Sequence, residues 1–94
     1  MQREINEILT EEQILGQLME ECAELIQAAH KVIRERQAVN RPHGGGNYIA
    51  KLEEEAADVI ACISQLSSVS IENIDRICDE KLERWERRLN EEGN

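Results

Sequence analysis

Glu21 with Glu24, and Glu55 with Asp58, form two carboxylate pairs at a spacing of three residues, each in a stretch whose apolar residues recur at threes and fours. At about 100° of rotation per residue, Glu21 falls between Ala28 and Val32, inside the apolar arc of a helix, while Glu24 stands about 60° away at its rim. Glu55 falls in the same way between Cys62 and Leu66, with Asp58 at the rim. An ionised carboxylate taken out of water is costly unless something compensates it, and for one inward acid a lysine or arginine partner is the ordinary compensation. Four acids in two matched pairs point instead to a shared divalent cation. Hard oxygen donors alone favour Mg²⁺ or Mn²⁺, and no EF-hand loop is present for calcium. Glu20 and Glu54 stand beside the pairs and read first as solvated surface acids, with the orienting of a ligand or a water as their second reading.

A complementary sign follows later in the chain. Lys81, Arg84 and Arg88 occur at i, i+3 and i+7, on one flank of an apolar stripe, where they snorkel and pair with Glu80, Glu83 and Glu91 or face the same cavity as the acids. A metal beside cations suits a polyphosphate, because both spread the charge of phosphoryl oxygens.

The elements that must position these residues are helical. Thr10-Glu11-Glu12-Gln13 fits a capping box, so a long helix should start there and run to about Arg36 with Ile14, Leu15, Leu18, Cys22, Leu25, Ala29, Val32 and Ile33 on one side. Residues 40–47, Asn40 to Asn47, hold the chain's only proline and three successive glycines, which predicts one sizeable flexible loop. A second helix should run from about Tyr48 through Leu66. Ser70 is a suitable N-cap for a third, whose stripe is Ile71, Ile74, Ile77, Cys78, Leu82, Trp85 and Leu89. Ile5, Ile8 and Leu9 suit a short lead-in helix. The expected fold is all-α: an antiparallel helical bundle of three main helices plus a short N-terminal helix, one domain over residues 1–94, completed by oligomerisation because so short a chain buries a modest fraction of its surface.

Twenty acidic against eleven basic residues leave a net charge of −9, which opposes binding to nucleic acid or anionic membranes. With one Tyr, one Trp and no Phe, the chain lacks the stacking aromatics of a single-strand binder. Cys22, Cys62 and Cys78 are odd in number and widely spaced, and neither a secretory apolar segment nor a membrane span is visible. They read as reduced core cysteines of a cytoplasmic protein.

Glu20-Glu21-Cys22-Ala23-Glu24-Leu25 followed by Glu54-Glu55-Ala56-Ala57-Asp58-Val59 resembles the EExxEL…EExxDV signature of the MazG-like all-α nucleoside triphosphate pyrophosphohydrolases. Asp79-Glu80-Lys81-Leu82-Glu83-Arg84 is similar to that family's basic last-helix segment, so the resemblance spans roughly residues 10–90. It implies a hydrolase acting on a phosphoanhydride bond: a (deoxy)nucleoside triphosphate cleaved between the α and β phosphates to the monophosphate and pyrophosphate, with Mg²⁺ required. By the same resemblance Glu21, Glu24, Glu55 and Asp58 would be the catalytic metal ligands, Lys81 and Arg84 would hold phosphates, and the chain would form a homodimer or homotetramer. Larger relatives often have Asn where Asp79 stands, so no substrate contact carries over to that position. Two rival readings share the composition: a non-enzymatic acidic helical interaction module, and a regulator that binds nucleotide without turning it over. Neither base nor sugar preference is readable.

Overall fold

Helix α1, Glu11–Ala38, starts where the sequence satisfies its own first amides. The Gln13 N–H donates to Thr10 Oγ1 at 3.1 Å, and the Thr10 N–H donates to Gln13 Oε1 at 2.8 Å, the reciprocal bonds of a capping box. The computed structural model describes residues 4–38 and 46–93. The glycine-rich segment expected over residues 40–47 therefore lies outside the described residues, except for Gly46 and Asn47, which open helix α2, Gly46–Ser64. This helix stops two residues short of Leu66, because the Gln65 and Leu66 amides donate to the carbonyls of Cys62 and Ile63, each at 3.1 Å, closing the tighter turns of a helix end. Helix α3, Ile71–Glu92, is capped as expected: the Asn73 N–H donates to Ser70 Oγ at 3.2 Å. The lead-in is a single 3-10 turn, Ile5–Glu7.

Helices α1 and α2 pack as an antiparallel hairpin, with Glu11 beside Ser68 at one end and Arg34 beside Tyr48 at the other. Ile14, Ala28, Val32 and Leu66 form its buried apolar core. Two polar fasteners hold the end remote from the 40–47 segment. The Ser68 N–H and hydroxyl donate to the two oxygens of Glu11 at 2.9 and 2.6 Å. Gln65 Nε2 donates to Glu4 Oε2 at 2.9 Å while Gln65 Oε1 accepts from the Asn6 N–H at 3.2 Å, tying the 3-10 turn to the end of α2.

The Ser68 side-chain bond, then its backbone bond, holds the Glu11 carboxyl below its usual range. A carboxyl whose pKa is depressed on folding contributes stability above its unfolded pKa, and that contribution is lost as pH falls through the folded value. Glu11→Gln is accordingly expected to lower the melting temperature at neutral pH, with the difference from the parent closing as pH falls below 4.5, the ordinary value for the group. Melts at a series of pH values check this; a gap that persists in acid would mean that Glu11 acts through something other than its charge.

Every residue of α3 is exposed, the apolar stripe Ile71, Ile74, Ile77, Leu82, Trp85 and Leu89 included. The radius of gyration is 17.2 Å, against about 12 Å for a compact chain of this length. The fold is all-helical with three main helices, as the periodicity implies, yet the third stripe is left uncovered within one chain. Periodicity shows which face of a helix is apolar and is silent on what covers it.

The three cysteines are free. Cys22 and Cys62 are half-buried in the hairpin, whereas Cys78 is exposed on α3, which corrects its reading as a core residue. Burial, then the charges of Glu21 and Asp58, pushes the Cys62 thiol up and keeps it in its unreactive protonated form. No helix among the described residues is long and apolar enough to cross a membrane.

Candidate metal centre

Helix α1 delivers Glu21 and Glu24, and α2 delivers Glu55 to face them. One carboxylate oxygen from each lies within 4.8 Å of the others. Their depths follow the helical wheel: Glu55 is buried, with 3% of its surface exposed, Glu21 is half-buried, and Glu24 stands at the exposed rim.

Each inward acid has one oxygen held from its own helix, four residues back. Gln17 Nε2 donates to Glu21 Oε1 at 2.7 Å, and Lys51 Nζ lies 2.8 Å from Glu55 Oε1, with Glu54 Oε2 at 3.9 Å. The second oxygens, Glu21 Oε2 and Glu55 Oε2, are buried and have no hydrogen-bond partner. Buried polar atoms are almost always partnered, so two orphaned acceptors in one cluster ask for a donor or a cation.

The charges are arranged accordingly. The adjoining Glu55 carboxylate, reinforced by repulsion from Glu21, raises the Glu24 carboxyl above its usual range. The Lys51 ammonium holds Glu55 down against the opposing effect of burial, with the neighbouring Glu24 carboxyl helping. Glu24 and Glu55 thus titrate as a coupled pair. Three carboxylates there outnumber the ammoniums of Lys31 and Lys51, and the surplus is negative. Such a set of hard donors fits Mg²⁺ or Mn²⁺.

Asp58 is not part of the converging trio. It lies one turn beyond Glu55, exposed, and its charge is felt at the Cys62 thiol. Lys81 and Arg84 are not beside the acids within one chain either. With Trp85 and Arg88 they line a separate hollow of about 390 Å³ on α3. The cations that border Glu24 and Glu55 are Lys31 and Lys51, around a hollow of about 240 Å³. Sequence reasoning passed over Gln17, Lys31 and Lys51. The i, i+4 spacing of Gln17 to Glu21 and of Lys51 to Glu55 is the signal that finds two of them, since side chains four apart on a helix meet.

No family model, no curated protein and no solved structure matches the chain.

Proposed function

We propose that the protein is a magnesium-dependent nucleoside triphosphate pyrophosphohydrolase, which converts a (deoxy)nucleoside triphosphate and water to the monophosphate and pyrophosphate. The observation that carries this reading is the pair of buried, unpartnered oxygens on Glu21 and Glu55, in a cluster where one oxygen each from Glu21, Glu24 and Glu55 lies within 4.8 Å of the others. Glu21, Glu24 and Glu55 would hold the ion, with Asp58 next to them on the exposed side. Bound there, Mg²⁺ would neutralise phosphoryl oxygens and acidify a water. The chain's own contribution is orientation: Gln17 fixes the carboxylate plane of Glu21 and Lys51 fixes that of Glu55, while Glu20 and Glu54, their exposed chain neighbours, remain solvated. Cytoplasmic residence fits the free cysteines and the acidic surface.

The reading includes a homodimer or homotetramer. Lys81 and Arg84 reach phosphate at the carboxylates only where α3 of a second copy crosses the hairpin. The rival interaction-module reading has its own support in the uncovered stripe of α3, but it leaves the orphaned carboxylate oxygens without a reason.

The test is a screen of unmodified and modified nucleoside triphosphates with Mg²⁺, with pyrophosphate and orthophosphate measured separately. The expected product is pyrophosphate with no orthophosphate. Release of orthophosphate, or no turnover of any nucleotide, would remove this function.

A further inference from the structure

Helix α1 carries three cations beyond Glu24: Lys31 seven residues on, Arg34 one turn further, and Arg36 in the last turn. Lys31 borders two hollows at once. One, of about 240 Å³, it shares with Glu24, Lys51 and Glu55; the other, of about 450 Å³, it shares with Arg34, Glu35 and Tyr48. Lys31 thus stands on the wall of both hollows, and with Lys51 and Arg34 it places three cations of the same chain at the carboxylate site and at the hollow next to it. Among the described residues no hydrogen bond or ion pair engages the side chain of Lys31 or Arg34. In a chain of net charge −9, cations left unpaired next to a cluster of acids are unusual, because an acidic surface offers partners to any free ammonium or guanidinium. Lys51 is the counterpart case, held at 2.8 Å on Glu55.

We propose that Lys31, Arg34 and Lys51 are the phosphate-binding half of the carboxylate site, built in cis, and that Lys51 is a placeholder which a divalent ion on Glu55 releases toward the phosphates. The physical reason is charge exchange. A divalent ion at the three carboxylates removes the attraction that keeps the ammonium on Glu55, and the freed ammonium then lies between the ion and Lys31. A phosphate chain with one end at the ion would run along Lys51 and Lys31 to Arg34, whose planar fork suits a terminal phosphate. Lys81 and Arg84 on α3 are not needed for this path. The inference rests on the hydrolase reading for the nature of the anion, and a binding experiment tells the failure of one from the failure of the other.

That experiment is calorimetric titration of the full chain with MgCl₂ alone, with inorganic tripolyphosphate alone, and with tripolyphosphate at saturating Mg²⁺. The proteins are the parent, the double variant Lys31→Ala/Arg34→Ala, Lys51→Gln, and Lys81→Ala/Arg84→Ala. The two α1 cations are exposed, so their removal leaves the fold intact, which melting checks. The α1 double variant is expected to bind tripolyphosphate at least about tenfold more weakly while its Mg²⁺ affinity stays near that of the parent. Lys51→Gln, which keeps a donor and removes the charge, should bind Mg²⁺ alone more tightly and magnesium tripolyphosphate more weakly. An unchanged tripolyphosphate affinity in the α1 double variant overturns the proposal, as does a loss confined to Lys81→Ala/Arg84→Ala. If the parent binds Mg²⁺ and no tripolyphosphate, the three cations are not a phosphate site and the carboxylate centre stands. If it binds tripolyphosphate and no Mg²⁺, the carboxylate reading falls, Lys51 is no placeholder, and Lys31 with Arg34 remains an anion site.

Discussion

Glu55→Gln is expected to abolish magnesium binding and to cut pyrophosphate release by at least about 100-fold, while melting a little below the parent without metal. The substitution keeps side-chain volume but removes the charge that Lys51 holds at 2.8 Å, and a carboxyl held below its usual range contributes stability at neutral pH. The partner left behind, Lys51, is about half-exposed and is taken up by water, which keeps the loss small. Glu21→Gln should act in the same direction, since Gln17 still has an amide oxygen to donate to. Magnesium should stabilise the parent by mass action, by about 2.7 kcal/mol at a hundredfold excess over Kd, which raises the melting temperature by about 10–20 °C for a domain of this size. Neither variant should show that shift. A pH series adds a second readout through Glu24. Its carboxyl is raised above the ordinary 4.5, so its contribution to the metal-free fold is complete below that value and is lost as pH rises through the raised one. Magnesium needs the ionised form, so its stabilisation should fade as pH falls through the same window. A parent with no magnesium-dependent shift, and variants that are merely less stable, would make these acids structural groups and return the protein to the interaction-module reading.

The second large effect concerns α3. The parent is expected to run in solution at a multiple of 10.8 kDa, and Trp85→Glu or Leu82→Glu to run as a single chain. The accessible surface of one chain is 7814 Å², whereas a compact monomer of this mass exposes about 5,500 Å². The excess is of the size that stable interfaces bury. Trp85 and Leu82 lie in the middle of the uncovered stripe, and a glutamate placed there would be buried without a partner at the contact. Light scattering across a dilution series reads the mass directly. A parent of single-chain mass would leave the stripe to another occupant and would take Lys81 and Arg84 out of the site.

The sequence was legible where a residue's role depends on its own helix. The Thr10–Gln13 capping box, the Ser70 cap and the inward turn of Glu21 and Glu55 all follow from offsets of three or four residues, and the structure has them as read. Legibility fails where a role depends on a neighbouring element. Glu24 and Asp58 occupy equivalent rims of their helices, yet the packing of α1 on α2 brings Glu24 to the cluster and leaves Asp58 outside it. Lys81 and Arg84 have the spacing of a cationic flank, but nothing local states which surface that flank meets. Lys51 and Gln17 are legible in the same local terms, since each stands four residues before its acid, where side chains on a helix meet.

Ala28 gives the hairpin a further property. It is 3% exposed and forms part of the wall of the hollow beside Glu24 and Glu55, so a larger side chain there would enter that hollow or press α1 away from α2. The distance between those helices sets how far apart the carboxylate oxygens stand, so on the proposed metal reading this one small residue would act as a calliper for ionic radius. Magnesium takes its oxygens at about 2.0–2.1 Å and calcium at about 2.3–2.6 Å. A valine or leucine at this position would open the cage toward the larger ion, and the choice of metal would then be written by an alanine that never touches it.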